Sequence, residues 1–144
     1  NWLMAGHVAK PLGTLHPNIA PYGDVFTCAD GKRIVLAVGS NAQFIKLCDV
    51  LALADVKSAV DFSENPYRVK NRDRLAALLS PAIAAIPQQE LLSRLQQAGV
   101  PAGAVNTIDT ALASPAAQRM TVEEMIEGVR TLRISGNAFR SEYF

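Results

Sequence analysis

The chain has 144 residues, a length that suits one domain and allows roughly 70% of the unfolded surface to be buried. Its net charge of +1 argues against a nucleic-acid-binding protein and against a polybasic membrane anchor, since both concentrate basic residues. The longest apolar runs, such as residues 34–38, are far too short to cross a bilayer. We therefore expect a globular chain with neither nucleic acid nor membrane among its partners.

The first fifteen residues have no clear hydrophobic period and include two glycines and Pro11. We interpret residues 1–15 as a linker, with the end of a helix at residues 2–5. The opening NWLMAG offers neither an initiator methionine nor a helix cap, so we expect the chain to be a fragment or one domain of a longer protein.

Two prolines restrict the backbone within the stretch GTLHPNIAPYGDVFTCADG, residues 13–31. Pro17 disfavours the helical conformation for His16, Pro21 does the same for Ala20, and Asn18 tolerates turns. This predicts a stiff, extended loop over residues 16–22, here called the proline loop. It is either a lead-in to the next strand or a surface presented to a ligand, whose binding a rigid loop favours.

Two strands and a helix are predicted after this loop. Residues 24–28 are β-like, the Asp30-Gly31 pair favours a hairpin turn, and the apolar residues 34–38 predict a strand buried on both faces. Ser40 or Asn41 is expected to cap the helix. Its apolar face consists of Phe44, Leu47, Cys48 and Leu51.

Two further helices have proline near their ends. The first is predicted to begin with Asn65 as N-cap and Pro66 as the first helical residue, and to continue through Leu79. Pro81 costs about 3 kcal/mol inside a helix, so we expect a kink or a restart there with Ser80 as the new cap.

The next helix is predicted to begin at Pro87, and Gly99 suits a left-handed cap at its end, with Pro101 just beyond. Its apolar face consists of Leu91, Leu92, Leu95 and Ala98. Residues 102–106 then resemble a short strand or extended loop.

Two short helices and an ambiguous segment follow. Thr107 is a candidate cap for the first helix, and Ser114-Pro115 repeats the start signal. Thr121 with Glu124 fits a capping box, which slightly favours a helix over residues 121–126. The alternative is a Glu127-Gly128 turn between two strands, residues 121–126 and 129–135.

Most catalytic and metal-binding motifs are absent from the sequence. His7 and His16 have no cysteine near them, which argues against a zinc site. Cys28 and Cys48 lack CxxC spacing, and we interpret them as buried thiols in a reducing cytoplasm. No GxSxG, GxGxxG or Walker sequence occurs.

Two segments have features of phosphate sites. Residues 38–44 form a strand-to-helix turn, but one glycine is weak support and plain helix capping is favoured. Residues 65–74 are rich in Lys and Arg, and the favoured interpretation is a solvated face on which Glu64 pairs with Arg68.

Four blocks in order resemble the class III CoA-transferases, a family that includes formyl-CoA transferase, carnitine CoA-transferases and α-methylacyl-CoA racemase. The blocks are LHPNIAPYGDVFTCADGKRIVLAVGSNAQFIKLC, NPYRVKNRDRL, AGVPAGAVNT, and RM before a β-rich tail. The resemblance covers residues 13–135.

The resemblance implies an α+β fold with an antiparallel or mixed sheet and several packed helices. Residues 16–135 are then the small domain of a two-domain enzyme, with linker 1–15 before it and the start of a return linker, 136–144, after it. The tail GNAFRSEYF departs from the Gly-Ser-Pro turn usual in the family. For residues 121–135 the resemblance favours a β-hairpin over the helix.

The resemblance also implies a cytoplasmic, interlocked homodimer that uses a CoA thioester as substrate and has no tightly bound cofactor. An aspartate of the large domain attacks the acyl-CoA, CoA re-attacks the resulting anhydride, and the acceptor carboxylate takes the CoA from the aspartyl thioester. In the racemase branch a His and an Asp exchange the α-proton instead. None of Asp24, Asp30, Asp49 or Asp55 matches the nucleophile motif, so no catalytic residue is assigned and this chain alone is predicted to be inactive.

The proline loop matches the loop that the small domain presents over the thioester site. The substrate-binding residues implied are His16, Pro17, Asn18, Ile19, Ala20, Pro21 and Tyr22. Formyl-CoA transferase has a mobile glycine-rich loop at the matching place, whereas Pro17 and Pro21 predict a fixed wall here. The alternatives are the same domain in an acyl-CoA racemase or epimerase, and a structural dimerisation module with no activity of its own.

Overall fold

The computed structural model describes residues 13–135 together with residues 4, 6 and 8. The helix end predicted at residues 2–5 lies outside the described residues except for Met4, as do most of the predicted linker 1–15, His7, and the predicted return linker 136–144. The chain divides into two compact units, Asn1–Val105 and Asn106–Phe144. The division into linker, domain and return linker stays a prediction.

The N-terminal unit contains an antiparallel sheet in the order β1-β2-β3. Its strands are β1 (Tyr22–Thr27), β2 (Arg33–Ala37) and β3 (Ala102–Val105). The predicted turn between β1 and β2 is confirmed, with Gly31 at a φ of 74°.

The prediction that the second strand is buried on both faces is wrong. Ile34 and Leu36 are fully buried in the hydrophobic core, whereas Val35 and Ala37 on the opposite face are only half-buried. Side chains alternate between the two faces of a strand, and the packed helices cover the Ile34 face more completely.

Five helices and a 3₁₀ turn of the N-terminal unit lie within the described residues. They are α1 (Asn41–Val50), α2 (Ala54–Ser58), the 3₁₀ turn (Val60–Phe62), α3 (Asn65–Lys70), α4 (Arg72–Ala84) and α5 (Gln88–Gln97). Their apolar faces share one core with β1 and β2, as the sequence pattern predicts. The predicted α+β fold with an antiparallel sheet and several packed helices is confirmed.

Helix α1 begins after Ser40, which is one of the two predicted N-cap residues. Ser40 is the N-cap, and its side chain accepts a hydrogen bond from the backbone N–H of Gln43. The Gln43 side chain accepts in turn from the backbone N–H groups of Gly39 and Ser40. Plain capping is therefore the role of this turn, because the side chains already satisfy these helix-terminal donors.

The helix predicted from Asn65 is interrupted at a different place from the one expected. It breaks at Asn71, whose side-chain amide donates to the carbonyl oxygens of Tyr67 and Asp61 and so competes with regular helix bonding. Helix α4 then continues through Pro81, so the predicted restart there is wrong. Ser80 is not a cap, since its hydroxyl donates to the Ala76 carbonyl.

The N-cap of α3 also differs from the prediction. Glu64 occupies the cap position and Asn65 is the first helical residue, with Pro66 in the first turn. The side chain of Asn65 is engaged with the proline loop instead. Helix α5 ends as predicted, with Gly99 at a φ of 69° and the Val100 N–H bonded to the Leu95 carbonyl.

The C-terminal unit contains two short helices and a hairpin. The helices are α6 (Ile108–Leu112) and α7 (Pro115–Gln118), and the strands are β4 (Thr121–Ile126) and β5 (Val129–Ile134). The hairpin favoured by the resemblance is confirmed, and the helix favoured by the local pattern is wrong. Glu127 and Gly128 both have positive φ, at 51° and 79°, and form the turn that pairs Ile126 with Val129.

Among the described residues, no single helix is long and apolar enough to cross a membrane. Helices α4 and α5 meet the length and composition criteria only as a pair, bent by 112°.

Candidate functional site

The proline loop is closed at its base by backbone hydrogen bonds. The His16 N–H donates to the Tyr22 carbonyl oxygen at 2.9 Å, which brings the two ends of the loop together. The Val38 N–H donates to the Pro21 carbonyl oxygen at 3.0 Å, which ties the loop to the end of β2. The loop therefore has a defined base on the sheet.

Asn65 holds the middle of the loop with both ends of its amide. Its Oδ1 accepts from the Ala20 N–H at 3.1 Å, and its Nδ2 donates to the Asn18 carbonyl oxygen at 2.7 Å. An amide side chain is suited to this contact because it offers an acceptor and a donor side by side.

Arg68 binds the same loop from the protein interior. Its side chain is fully buried, and its Nε donates to the Ala20 carbonyl oxygen at 2.9 Å. The two Nη atoms donate to the Phe62 carbonyl oxygen at 3.0 Å and to Asn41 Oδ1 at 2.8 Å. The guanidinium lies 4.5 Å from the centre of the Phe44 ring, a cation–π contact.

The predicted Glu64–Arg68 pair is therefore wrong, and Arg68 is not part of a solvated face, although Lys70, Asp73 and Arg74 of the same segment are exposed. Within the part of the chain that the structure describes, Arg68 forms no salt bridge, and neutral oxygens and an aromatic ring surround its charge. Burial lowers the pKa of Arg68. A guanidinium keeps its charge in such a place because its intrinsic pKa is so high.

Arg72 contacts the loop at two further carbonyls. Its Nη2 donates to the His16 carbonyl oxygen at 2.6 Å and to the Ile19 carbonyl oxygen at 2.7 Å. Its Nη1 lies 3.4 Å from Oδ2 of Asp24, which is buried on β1. Burial raises the pKa of the Asp24 carboxyl, while the positive charge of Arg72 and nearby backbone hydrogen bonds act in the opposite direction.

The exposed side of the loop carries a histidine in a defined tautomer. His16 is half-buried, and its Nδ1 accepts from the Asn18 N–H at 3.2 Å. Since Nδ1 is the acceptor, Nε2 carries the ring proton of the neutral form. The Tyr22 ring packs edge-on against His16 with centroids 5.4 Å apart.

The seven predicted substrate-binding residues thus divide into two groups. Ala20 and Pro21 are buried and anchor the loop, and the half-buried Ile19 contributes its carbonyl oxygen to Arg72. The accessible group consists of His16, Pro17, Asn18 and Tyr22. Their role in substrate binding stays a prediction.

The sequence pattern does not identify Asn65, Arg68 and Arg72 as residues that bind the loop. Their spacing, i, i+3 and i+7, would place them on one face of a continuous helix, and this is the available signal, although the helix breaks at Asn71 in the structure. Nothing in the spacing indicates that the face meets a loop 45 to 56 residues earlier in the chain.

The two cysteines are free and buried, as predicted. Burial raises the pKa of Cys48 to about 11 and also raises the pKa of Cys28. Burial therefore favours the neutral thiol over the thiolate, which is the reactive form. Among the described residues, no group of three or more His, Cys, Asp or Glu side chains is arranged to hold a metal ion.

The model of CoA-transferase family III matches residues 1–143, so the chain belongs to this family. The succinate–glutarate CoA-transferase of Agrobacterium fabrum is 33% identical over 139 residues, covering 91% of this chain and 34% of the relative. The acetyl-CoA:oxalate CoA-transferase of Acetobacter aceti is 33% identical over 140 residues, covering 94% of this chain and 35% of the relative.

Solved structures show the same relationship. A CaiB/BaiF family protein from Brucella suis superposes with a TM-score of 0.81 at 33% identity, over 99% of this chain and 36% of that protein. Rv3272 from Mycobacterium tuberculosis gives a TM-score of 0.75 at 26% identity, over 85% of this chain and 35% of that protein. The chain spans about a third of the length of the first relatives it matches.

Proposed function

We propose that this chain is the small domain of a CoA-transferase that moves CoA from an acyl-CoA thioester to a carboxylic acid. The proline loop covers the acyl-CoA site at a junction between domains and subunits of an interlocked homodimer. Membership of family III supports the reaction class. The observation that carries the role of the loop is its fixation by Asn65, Arg68 and Arg72, which leaves His16 and Tyr22 accessible.

A fixed wall suits the intermediates of this reaction. An acyl anhydride and an aspartyl thioester are both open to attack by water, and a closed site suppresses that hydrolysis. The loop main chain is bonded at Asn18, Ala20, Ile19 and His16 by side chains outside the loop. Such a loop contributes shape without an ordering cost when substrate binds. The nucleophilic aspartate is then supplied by a part of the protein outside this chain.

Dicarboxylates are the first substrates to test. The names of the relatives refer to succinate, glutarate and oxalate as acyl groups or acceptors. In each case the net reaction exchanges the CoA between two acids, so one thioester is broken and one is formed. We propose succinyl-CoA with glutarate, and acetyl-CoA with oxalate, as donor and acceptor pairs.

The test uses a full-length protein that contains this chain, incubated with each donor and acceptor pair. The expected result is formation of the acceptor's CoA thioester, detected by mass spectrometry, with none formed by the 144-residue chain alone. Exchange of the α-proton of a 2-methylacyl-CoA for deuterium, without CoA transfer, favours the racemase alternative. A full-length protein with neither activity, whose isolated chain dimerises in solution, favours the structural module.

A further inference from the structure

We propose that Asn65 and Arg72 are positioning residues, which set the proline loop so that His16 presents its Nε2–H to an oxygen atom of the acyl-CoA or of the acceptor acid. This inference rests on the proposed function for its substrate. It adds a role for two residues of α3 and α4 and a chemical role for the His16 ring.

The two side chains act on the same part of the loop from different sides. Arg72 holds the His16 carbonyl oxygen, and Asn65 holds the Asn18 carbonyl oxygen. His16 and Asn18 are also joined to each other, because the Asn18 N–H donates to His16 Nδ1. Backbone shifts at either residue therefore change the orientation of the imidazole ring and the choice of tautomer.

The chemistry of each contact is specific to the residue present. Arg72 places one Nη atom between two carbonyl oxygens, while its other Nη atom lies beside Asp24. A lysine has a single nitrogen on a flexible stem and cannot reproduce this fork. An aspartate at position 65 keeps an acceptor for Ala20 but loses the donor to Asn18.

Neither residue belongs to the hydrophobic core of the unit. The buried cluster is made of apolar side chains from the strands and helices and includes neither residue; Asn65 is half-buried, and the Arg72 side chain is 14% exposed. Loss of Asn65 is therefore expected to relax the loop more than it unfolds the unit. Loss of Arg72 also leaves the buried Asp24 without its ion-pair partner, so its effect on the loop is compared at equal folded fraction. Arg68 differs because it is fully buried.

The oriented ring defines the kind of atom it binds. With Nδ1 occupied by the Asn18 N–H, the remaining polar group of the neutral ring is the Nε2–H donor. Its partner is a hydrogen-bond acceptor, which in the two substrates means a thioester carbonyl or a carboxylate oxygen. A misplacement of about 1 Å in such a group is enough to lower a rate by about 100-fold.

The experiment measures CoA transfer by Arg72→Met and Asn65→Asp in a full-length protein that contains this chain. The controls are Arg74→Met, which loses an exposed ion pair with Asp61, and Asn71→Asp, which loses an amide contact; neither residue hydrogen-bonds to the loop. We expect kcat to fall by about 10- to 100-fold in the two test variants at equal folded fraction. The KM for acyl-CoA should change by less than about threefold, with more free acid formed per transfer. The kcat of Arg72→Lys should lie between that of the parent and that of Arg72→Met.

A second measurement separates this inference from the proposed reaction. Long-range ¹⁵N–¹H NMR spectra of the histidine rings, assigned with His16→Gln, should show the Nε2–H tautomer of His16 in the parent and mixed tautomers in Arg72→Met and Asn65→Asp. A parent that does not transfer CoA but shows these spectra overturns the reaction and supports the positioning role. The positioning role is overturned if both test variants have the kcat of the parent, or if their kcat falls only as much as that of the controls.

Discussion

The proline loop and the β4–β5 hairpin are both short chain reversals, but they are held in opposite ways. The hairpin is paired through its own backbone from Thr121 with Ile134 to Ile126 with Val129. The loop is held mainly by side chains of α3 and α4 that lie 45 to 56 residues away in the chain. One shape is encoded in neighbouring residues and the other in distant ones.

This difference determines what a substitution does in each region. A change in the hairpin alters one local pairing, whereas a change in α3 or α4 alters a loop that it does not adjoin in the sequence. The following predictions test that contrast, from the largest expected effect to the smallest.

Arg68 is expected to give the largest loss of stability. Arg68→Met keeps much of the volume but leaves the Ala20 carbonyl, the Phe62 carbonyl and Asn41 Oδ1 without their donors. The two orphaned buried carbonyls, of Ala20 and Phe62, and the lost cation–π contact with Phe44 should lower the free energy of unfolding by about 3–5 kcal/mol. Urea denaturation of the chain measures this change.

Arg94→Met is the matched control for Arg68→Met. Arg94 forms an exposed ion pair with Glu90 one turn earlier on α5, and such pairs contribute about 0.3–0.5 kcal/mol. If the two substitutions lower the urea midpoint equally, Arg68 does not hold the loop to the core.

Gly23 is expected to tolerate no side chain, because the backbone of Thr14 lies so close to it. A Cβ at this position lies 1.8 Å from the Thr14 carbonyl oxygen, and the φ of Gly23 is 79°. Gly23→Ala should therefore lower stability by about 2–4 kcal/mol, from left-handed strain together with the steric overlap. The measurement is the change in unfolding free energy in urea.

Substitutions at Gly31 and Gly128 measure the backbone strain of a positive φ without the steric overlap present at Gly23. Their φ values are 74° and 79°, and a Cβ at either position meets nothing within 4 Å. Gly31→Ala in the N-terminal unit and Gly128→Ala in the hairpin should each cost about 1 kcal/mol. Equal losses for Gly23→Ala and Gly31→Ala are incompatible with a close approach of the chain at Thr14.

Much of the fold could be predicted from local signals. The helix cap at Ser40 or Asn41, the Gly99 cap and the β1–β2 turn each depend on residues a few positions apart, and the structure has all three, with Ser40 as the first cap. The hairpin turn was harder to predict because glutamate is uncommon at positive φ, so the capping-box pattern of Thr121 and Glu124 favoured a helix.

The candidate site could be predicted only in part. Pro17 and Pro21 predict a stiff loop, but the pattern predicts a solvated face for Arg68 and Arg72, which hold the loop in the structure. Charged residues near a helix start are normally exposed, so composition gives the wrong answer for Arg68. The contact depends on how α3 packs beside the loop, which no local pattern encodes.

His16→Ala tests whether the accessible face of the loop contacts substrate. We expect kcat for CoA transfer by the full-length protein to fall by about 10-fold, equivalent to about 1.4 kcal/mol. The unfolding free energy should change by less than about 0.5 kcal/mol, because water can replace the His16 acceptor at this exposed bond. His16→Asn keeps an acceptor for the Asn18 N–H but loses the Nε2–H donor of the ring. It should therefore lose kcat as His16→Ala does. An unaltered kcat with a lowered urea midpoint assigns His16 to the structure of the loop alone.

Asp24, which pairs with Arg72, should make the free energy of unfolding depend on pH. Burial raises its pKa, so the folded chain binds this proton more tightly than the unfolded chain does. The contribution of Asp24 to stability is then fully present below the ordinary aspartate pKa of about 3.9 and is lost as pH rises through the raised pKa. Asp24→Asn removes this titration. Urea melts from pH 3 to pH 7 should show the parent losing stability relative to Asp24→Asn as pH rises, and the opposite slope means that Arg72 outweighs burial.

The smallest effect is expected at Glu127, where the hairpin carries its own local strain. Its φ of 51° is unfavourable for glutamate, whereas asparagine tolerates that conformation and is favoured in two-residue hairpin turns. Glu127→Asn should stabilise the hairpin by about 0.5 kcal/mol and so slow the exchange of its backbone amides about twofold. The proline-loop substitutions act through distant side chains, but this one needs no partner outside the turn. Gly128→Ala, which adds strain to the next residue, should speed the same amides. If Glu127→Asn leaves the exchange of the β4 and β5 amides unchanged, the hairpin is not limited by its turn, and the contrast between local and distant encoding does not hold for this region.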